Sequence, residues 1–163
     1  MGVRRDRARI LPVVAAIVAC LLTACTTPAA DPEPTASAAR SGTGEVRHDL
    51  EPLTDRFIRL DTATAATWMS GTLGDDRVPG PSTYWIDAIV TLDEADYAAL
   101  QSETDAQDTT DSPAVDAGIE GELPDGPFLR SDELDALFSP DGYWSVVFLH
   151  DATRTVILSS RFE

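Results

Sequence analysis

An alternation of apolar and polar side chains over residues 84–92 constrains the fold more than any other feature of this chain. Every second residue from Tyr84 to Leu92 is apolar or aromatic, whereas the intervening positions include Asp87 beside Trp85. Successive side chains of a strand point to opposite faces, so this pattern predicts a half-buried β-strand. Sharing a face with polar residues, Trp85 is expected to be partly exposed.

Other strands are predicted on both sides of this one. Residues 56–60 and 65–73 are rich in β-branched, aromatic and other apolar side chains, which favours strands. Near the C terminus, two alternating segments within residues 144–162 flank a polar turn and predict a hairpin. On its first strand Trp144 shares a face with Phe148, so Trp144 is predicted to lie in the core.

Two helices are predicted between these groups of strands. Thr91 and Glu94 have the spacing of a capping box before a helix around residues 95–100. Ser131 is the predicted N-cap of a second helix that ends at Phe138. Residues 102–113 are interpreted as an acidic loop. The order β-β-β-α-α-β-β predicts an α+β domain with a small antiparallel sheet of about five strands and helices packed on one face.

The charge excludes one class of partner. The chain has 12 arginines, no lysine and 28 acidic residues, which give a net charge of −16. Nucleic-acid binding requires a basic face, so a nucleic-acid partner is not expected. Two cysteines and two histidines argue against a disulfide scaffold and a zinc site. The acids of residues 105–116 lack the spacing of a calcium loop, so no metal or cofactor is predicted.

The N terminus has the pattern of a secretory signal. Four arginines precede a 13-residue apolar segment, Ile10 to Leu22. A helix of that length is shorter than the roughly 20 residues needed to span a bilayer, which favours a signal peptide over a membrane anchor. An ordinary secretory signal and an uncleaved anchor are the alternatives.

Leu22-Thr23-Ala24-Cys25 closes this segment and resembles the lipobox of bacterial lipoproteins. The resemblance covers residues 1–25 only. It implies that residues 1–24 are removed and that Cys25 is the acylated first residue of the mature chain. Two or three acyl chains would then anchor the protein durably on the extracytoplasmic side of the cell membrane.

The rest of the chain divides into a tether and a domain. Residues 25–48 begin with the lipidated Cys25 and are rich in Pro, Ala and Thr, which predicts a flexible tether. Residues 49–163 are long enough for a single α+β domain. The mature chain would carry eight arginines against 27 acidic residues, a charge of −19. Such a charge could attract cations, or could serve only solubility and repulsion from anionic lipids.

The sequence predicts no catalytic residue. His150 lies beside Asp151, but no G-x-S-x-G nucleophile motif is present and the mature chain would contain no nucleophilic cysteine. His150 is therefore interpreted as a polar residue at a strand edge, and His48 as a solvated residue of the tether. Paired carboxylates for hydrolysis need a defined separation in space, which a sequence does not give.

One loop is the candidate binding region. Residues 74–82 contain two prolines and two glycines and would hold Asp75, Asp76 and Arg77 in restricted geometry. Tyr84 and Trp85 follow directly. A charged, ordered loop beside aromatic residues could contact a ligand or a partner. The alternative is a loop that only reverses the chain, with Arg77 paired to a nearby acid.

These observations together predict a lipid-anchored envelope protein with a binding, regulatory or accessory role. Its partners would be the membrane, through the acyl chains on Cys25, and an unknown envelope protein or small ligand. The alternative is a small hydrolase that acts on cell-wall or surface substrates with clustered carboxylates. A third hypothesis is an accessory subunit that docks through the loop of residues 75–82.

Overall fold

The computed structural model describes residues 40–41, 44–74 and 82–163, and these form one antiparallel sheet with short helices. The strands are β1 Arg40–Ser41, β2 Ala65–Leu73, β3 Thr83–Thr91, β4 Gln107–Thr109, β5 Phe128–Arg130, β6 Tyr143–His150 and β7 Thr155–Phe162. The α-helices are α1 Glu51–Thr54, α2 Glu94–Thr104 and α3 Asp132–Leu137. Short 3₁₀ turns cover Ile58–Leu60, Glu120–Glu122 and Asp151–Thr153.

The spatial order of the strands is β1-β2-β3-β7-β6-β5-β4, with antiparallel pairing throughout. The predicted α+β class and the antiparallel sheet are confirmed. The predicted count of about five strands and the order β-β-β-α-α-β-β are wrong. Three described strands have only two or three residues, which is too short for an alternating pattern to reveal them.

The predicted strand at residues 56–60 is also wrong. This segment lies in a helical turn that follows α1, and Ile58 is 77 % exposed. Leu53, Phe57 and Leu60 are buried. Their spacing of four and then three residues places them on one side of a helical path, so helical periodicity outweighs the β-propensity of the short apolar run.

The first of two cores lies between the helices and one face of the sheet. The helical side is contributed by α1 with the turn after it, by α2 and by α3. Tyr97 and Leu100 of α2 are buried here, as are Leu134 of α3 and Phe138 at its end. The core residues from the sheet are Ala66, Trp68, Ile86, Ala88, Val90, Leu129, Val147, Leu149, Val156 and Leu158.

A second core covers part of the opposite face of the sheet. Residues 115–128 cross this face, and Ile119 and Phe128 pack against Trp85, Phe148 and Ile157. The strand β3 is therefore buried on both faces rather than on one, and Trp85 is 1 % exposed instead of partly exposed. Alternation shows which side chains share a face, but it does not show whether another segment covers that face.

The same segment leaves the N-terminal half of β6 open. Trp144 is 61 % exposed and Val146 is 41 % exposed, so the prediction that Trp144 is a core residue is wrong. Phe148, two residues further along, is buried against Phe128. The core on this face thus ends between Val146 and Phe148.

Side-chain caps fix the starts of two helices. Asp93 is the N-cap of α2 and accepts a hydrogen bond from the backbone N–H of Asp96 at 2.9 Å. The predicted capping box on Thr91 is therefore wrong, because Thr91 is the last residue of β3. The predicted N-cap of α3 is confirmed, since Ser131 Oγ accepts from the N–H of Leu134 at 3.0 Å.

Two segments predicted to be irregular are partly ordered against the sheet. The predicted acidic loop of residues 102–113 contains the end of α2 and all of β4. Residues 44–48, which were predicted to be part of the tether, run along the outer edge of β2. The backbone of Arg47 exchanges hydrogen bonds of 2.8 and 2.9 Å with Trp68, and Gly44 donates to Ser70. The ordered domain therefore begins before residue 49.

Candidate functional site

A cleft of about 520 Å³ lies where α1, the segment before it and one end of the sheet meet. Its volume is within the range of ordinary small-molecule sites. Arg47 and Trp68 form one side, and the turn after α1 contributes Arg56. Tyr84 of β3 and Phe162 of β7 form the opposite side.

Arg47 is held in a fixed position at this cleft. The carbon at the centre of its guanidinium lies 4.2 Å from the ring centroid of Trp68, which is a cation–π distance. Its Nε and Nη2 both donate to the carboxylate of Asp49. These hydrogen bonds hold the pKa of Asp49 below its usual value. The carboxylate of Asp49, two residues along the chain, therefore neutralises part of the positive charge of Arg47.

Arg56 is less restrained. Its Nη1 donates to the carbonyl oxygen of Pro52 at 2.8 Å. Among the described residues no carboxylate forms an ion pair with it. A guanidinium has five N–H donors in a rigid fork, so the side chain keeps donors for an incoming anion.

Stacked aromatic rings form the other wall. The ring of Tyr84 lies 5.5 Å from that of Phe162 at an interplanar angle of 24°. Phe162 in turn stacks on Tyr143 at 4.7 Å and 11°. Tyr84 is the outer member of this stack and is 42 % exposed. An aromatic face supported in this way loses little side-chain entropy when a ligand packs against it.

The charge of the cleft is opposite to that of the chain. None of its described lining residues is acidic, and two are arginines. Three other clefts in the described part of the chain each include a carboxylate, among them Glu122, Asp111 and Asp61. In a chain with 28 acidic residues, the absence of acidic residues from its described lining distinguishes this cleft from the other three.

The sequence-predicted site residues are only partly brought together here. Tyr84 and Trp85 both border the cleft, but the side chain of Trp85 is buried in the second core on the opposite face of the sheet. Asp75, Asp76 and Arg77 lie outside the described residues. Cys25, the predicted lipidation site, also lies outside them.

The two arginines of the cleft were missed by sequence reasoning. Arg47 lies in the segment predicted to be tether, and Arg56 in the segment predicted to be a strand. The helical spacing of Leu53, Phe57 and Leu60 could have placed Arg56 in a helical turn. The sequence carries no comparable signal for Arg47, because its position depends on backbone pairing with Trp68.

Two buried polar residues elsewhere in the fold have structural partners. Asp87 is fully buried and accepts hydrogen bonds from Ser159 Oγ at 2.8 Å and from the N–H of Asp116 at 2.7 Å. These bonds attach residues 115–128 to the centre of the sheet. His150 is buried at the end of β6, and its Nδ1 lies 2.7 Å from Thr153 Oγ1.

His48, predicted to be solvated, is exposed and also bonded to β2. Its Nδ1 lies 3.0 Å from the carbonyl oxygen of Ala66. Within the described ranges, no group of three or more His, Cys, Asp or Glu side chains is arranged to hold a metal ion.

Comparison of the chain with known protein families, with curated proteins and with solved structures finds no match. In the described part of the chain, none of the helices combines the length and the apolar character needed to cross a membrane.

Proposed function

We propose that this protein is a lipid-anchored, extracytoplasmic envelope protein whose single domain binds a ligand. The observation that carries the binding role is the cleft, because two arginines and a supported aromatic face converge there without a carboxylate among the described lining residues. This arrangement suits recognition of an anion. It does not suit hydrolysis by paired carboxylates, which was the alternative hypothesis.

The proposed anchor follows from the resemblance of residues 22–25 to a lipobox. Cys25 would carry the acyl chains, and the folded chain is first described at Arg40. Fifteen residue steps separate the two positions, so a fully extended chain between them spans at most about 54 Å. The domain would therefore work close to the membrane surface.

Metabolic labelling with an alkyne fatty acid tests the anchor. We expect label on the wild-type protein and on the Cys20→Ser variant, which alters the other cysteine within the signal segment. The Cys25→Ser variant should carry no label, because it lacks the thiol that forms the thioether. Equal labelling of the two variants, or no labelling of the wild type, would contradict the proposed anchor.

The binding role and the hydrolase alternative are separated by incubating the mature-length chain with peptidoglycan, glycan and ester substrates. A binding protein should leave all of them intact. Turnover that is lost on substitution of single acidic residues would support the hydrolase instead. Capture of a partner that is lost on charge reversal at Asp76 and Arg77 would support the accessory-subunit hypothesis.

A further inference from the structure

We infer that the cleft binds a phosphate group carried on a ring, such as a phosphorylated sugar or polyol. This inference rests on the proposed binding function and names its ligand class. The juxtaposition that supports it is that of Arg56 and Arg47 with the exposed face of Tyr84 in one cleft.

Arg56 is assigned as the main contact to the phosphate. Arg56 donates one hydrogen bond to the carbonyl oxygen of Pro52, and it has no carboxylate partner among the described residues. Arg47 already donates two hydrogen bonds to Asp49. It is therefore assigned a secondary role, in which its positive charge attracts the phosphate from beside Arg56. A phosphomonoester has three terminal acceptor oxygens and a phosphodiester has two, so either can take donors from both guanidinium groups.

Tyr84 is assigned as the platform for the ring. Tyr84 is 42 % exposed, and Phe162 stacks against one side of its ring. A sugar or polyol ring that packs its C–H face on Tyr84 would remove apolar surface from water without reordering the side chain. At about 520 Å³, the cleft has room for a ring and a phosphate together.

The charge of the whole domain makes the ring necessary. With a charge of −19, the mature chain would repel a small anion at long range. A phosphate alone would therefore bind weakly. The packing contact with Tyr84 supplies affinity that does not depend on charge, and it makes the cleft selective for phosphates attached to rings.

The position of the cleft allows two sources for this ligand. β1 pairs with Leu73 and Thr72, and Thr72 lines the cleft. The chain that leads to Cys25 therefore joins the domain beside the cleft. A membrane phospholipid with a ring in its headgroup carries a phosphodiester, and a free phosphorylated ring compound carries a phosphomonoester. Both present anionic phosphate oxygens beside a ring, and both would fit.

The test is calorimetric titration of residues 25–163 carrying Cys25→Ser, with inositol 1-phosphate as probe and inositol as its uncharged counterpart. We expect inositol 1-phosphate to bind and inositol to bind at least about tenfold more weakly, since charge-assisted hydrogen bonds are lost. Arg56→Gln should weaken binding of the phosphate by about 10- to 100-fold. Arg59→Gln is the matched control and should leave it unchanged, because Arg59 pairs with Glu103 outside the cleft.

The platform is tested by a second pair of variants. Tyr84→Ser should weaken binding about 3- to 10-fold through loss of the packing contact. Trp144→Ser removes an exposed aromatic residue from outside the cleft and should have no effect. Dispersed amide signals in nuclear magnetic resonance spectra show that each variant is folded before it is titrated.

Vesicles distinguish the two sources. Binding to vesicles of phosphatidylinositol with phosphatidylcholine, reduced by Arg56→Gln and displaced by inositol 1-phosphate, would identify a lipid headgroup. Phosphatidylglycerol vesicles carry the phosphate without the ring and should bind more weakly. Binding of free inositol 1-phosphate without vesicle binding would identify a free ligand, and either result supports the inference.

Two results would overturn the inference. Absence of binding up to about 10 mM inositol 1-phosphate would contradict the ligand class. Equal binding of inositol and its phosphate, or equal effects of Arg56→Gln and Arg59→Gln, would show that the cleft binds ligands without selecting phosphate. The proposed binding function would survive that second result. The lipid anchor is tested independently, by fatty-acid labelling of Cys25.

Discussion

At the scale of single residues, Tyr97 connects α2 to the turn between β6 and β7. Its hydroxyl donates to the carboxylate of Asp151 at 2.7 Å, and its ring is buried in the first core. Burial and, to a lesser extent, the hydrogen bond to Asp151 raise the pKa of Tyr97 well above its usual value near 10. The folded state therefore keeps this phenol neutral at a pH where the unfolded chain ionises it.

This difference predicts a loss of stability in alkali. Above pH 10 the unfolded state loses the Tyr97 proton and the folded state keeps it. The free energy of unfolding should then fall by up to about 1.4 kcal/mol per pH unit from this residue. Urea unfolding between pH 8 and pH 11 should show a shallower decline for Tyr97→Phe than for the wild type. If the free energy of unfolding declined equally with pH in both proteins, the raised pKa of Tyr97 would be contradicted.

Two tryptophans show what sequence reveals at this scale. Alternation along β3 and β6 correctly predicted which side chains share a face, but the expected exposures of Trp85 and Trp144 were the reverse of those found. Residues 115–128 decide the difference, since they cover Trp85 and stop short of Trp144. That segment has no regular periodicity, so its path could not be predicted from the sequence.

At the scale of elements, α3 closes an edge that the sheet leaves open. β5 pairs with β6 only at Leu129 and Leu149, so most of β6 has no strand on that side. Asp135 accepts a hydrogen bond from the N–H of Val147 at 2.7 Å, and Ser139 accepts from that of Ser145 at 2.9 Å. Side chains of α3 and its C-terminal end thus take the place of a strand and protect the edge from pairing with another chain.

Asp135 should be the most sensitive residue of this edge. It also accepts from Arg130 at 2.7 Å, a hydrogen bond that raises the pKa of the guanidinium. Asp135→Ala leaves the Val147 N–H without its acceptor and should lower the free energy of unfolding by about 2–4 kcal/mol. Asp135→Asn keeps an acceptor oxygen and should cost about half as much.

Urea denaturation measures these costs, and Glu133→Ala is the control. Glu133 is an exposed acid on the same helix, so its substitution should change the free energy by no more than about 0.5 kcal/mol. Equal effects of Asp135→Ala and Glu133→Ala would show that α3 does not stabilise the edge of β6.

Docking of residues 44–48 on β2 should depend on the absence of a side chain at position 44. A Cβ on Gly44 would collide with the carbonyl oxygen of Ser70 in β2, whereas a Cβ on Gly121 would meet no atom within 4 Å. Gly44→Ala should therefore weaken docking of residues 44–48 on β2 and lower stability by about 1–2 kcal/mol. Gly121→Ala should be close to neutral. Urea denaturation of both variants checks this, and equal stabilities would contradict the docking.

Element length decided how much of the sheet could be predicted. The strand bounds predicted for β2 match the structure, those for β3 are shifted by one residue, and the β6–β7 hairpin is confirmed. β4 and β5 have three residues each and depend on pairing with distant strands. Such contacts leave no periodic trace in a sequence.

At the scale of the whole molecule, charge is the organising feature. The chain is strongly acidic, yet its arginine-lined cleft has no acidic residue among the described lining positions. The acidity follows from composition, and the absence of a nucleic-acid partner stays a prediction. Composition could not predict the cleft, which brings Arg47, Arg56 and Tyr84 together from three separate parts of the chain.

We propose that this domain works outside the cell while tied to the membrane through Cys25. This proposal can be checked by mass spectrometry of the intact protein recovered from membranes. We expect a chain that begins at residue 25 and carries a diacylglycerol group on the sulfur of that cysteine. A chain that still begins at Met1, or an unmodified thiol at position 25 in protein recovered from the cytosol, would contradict it.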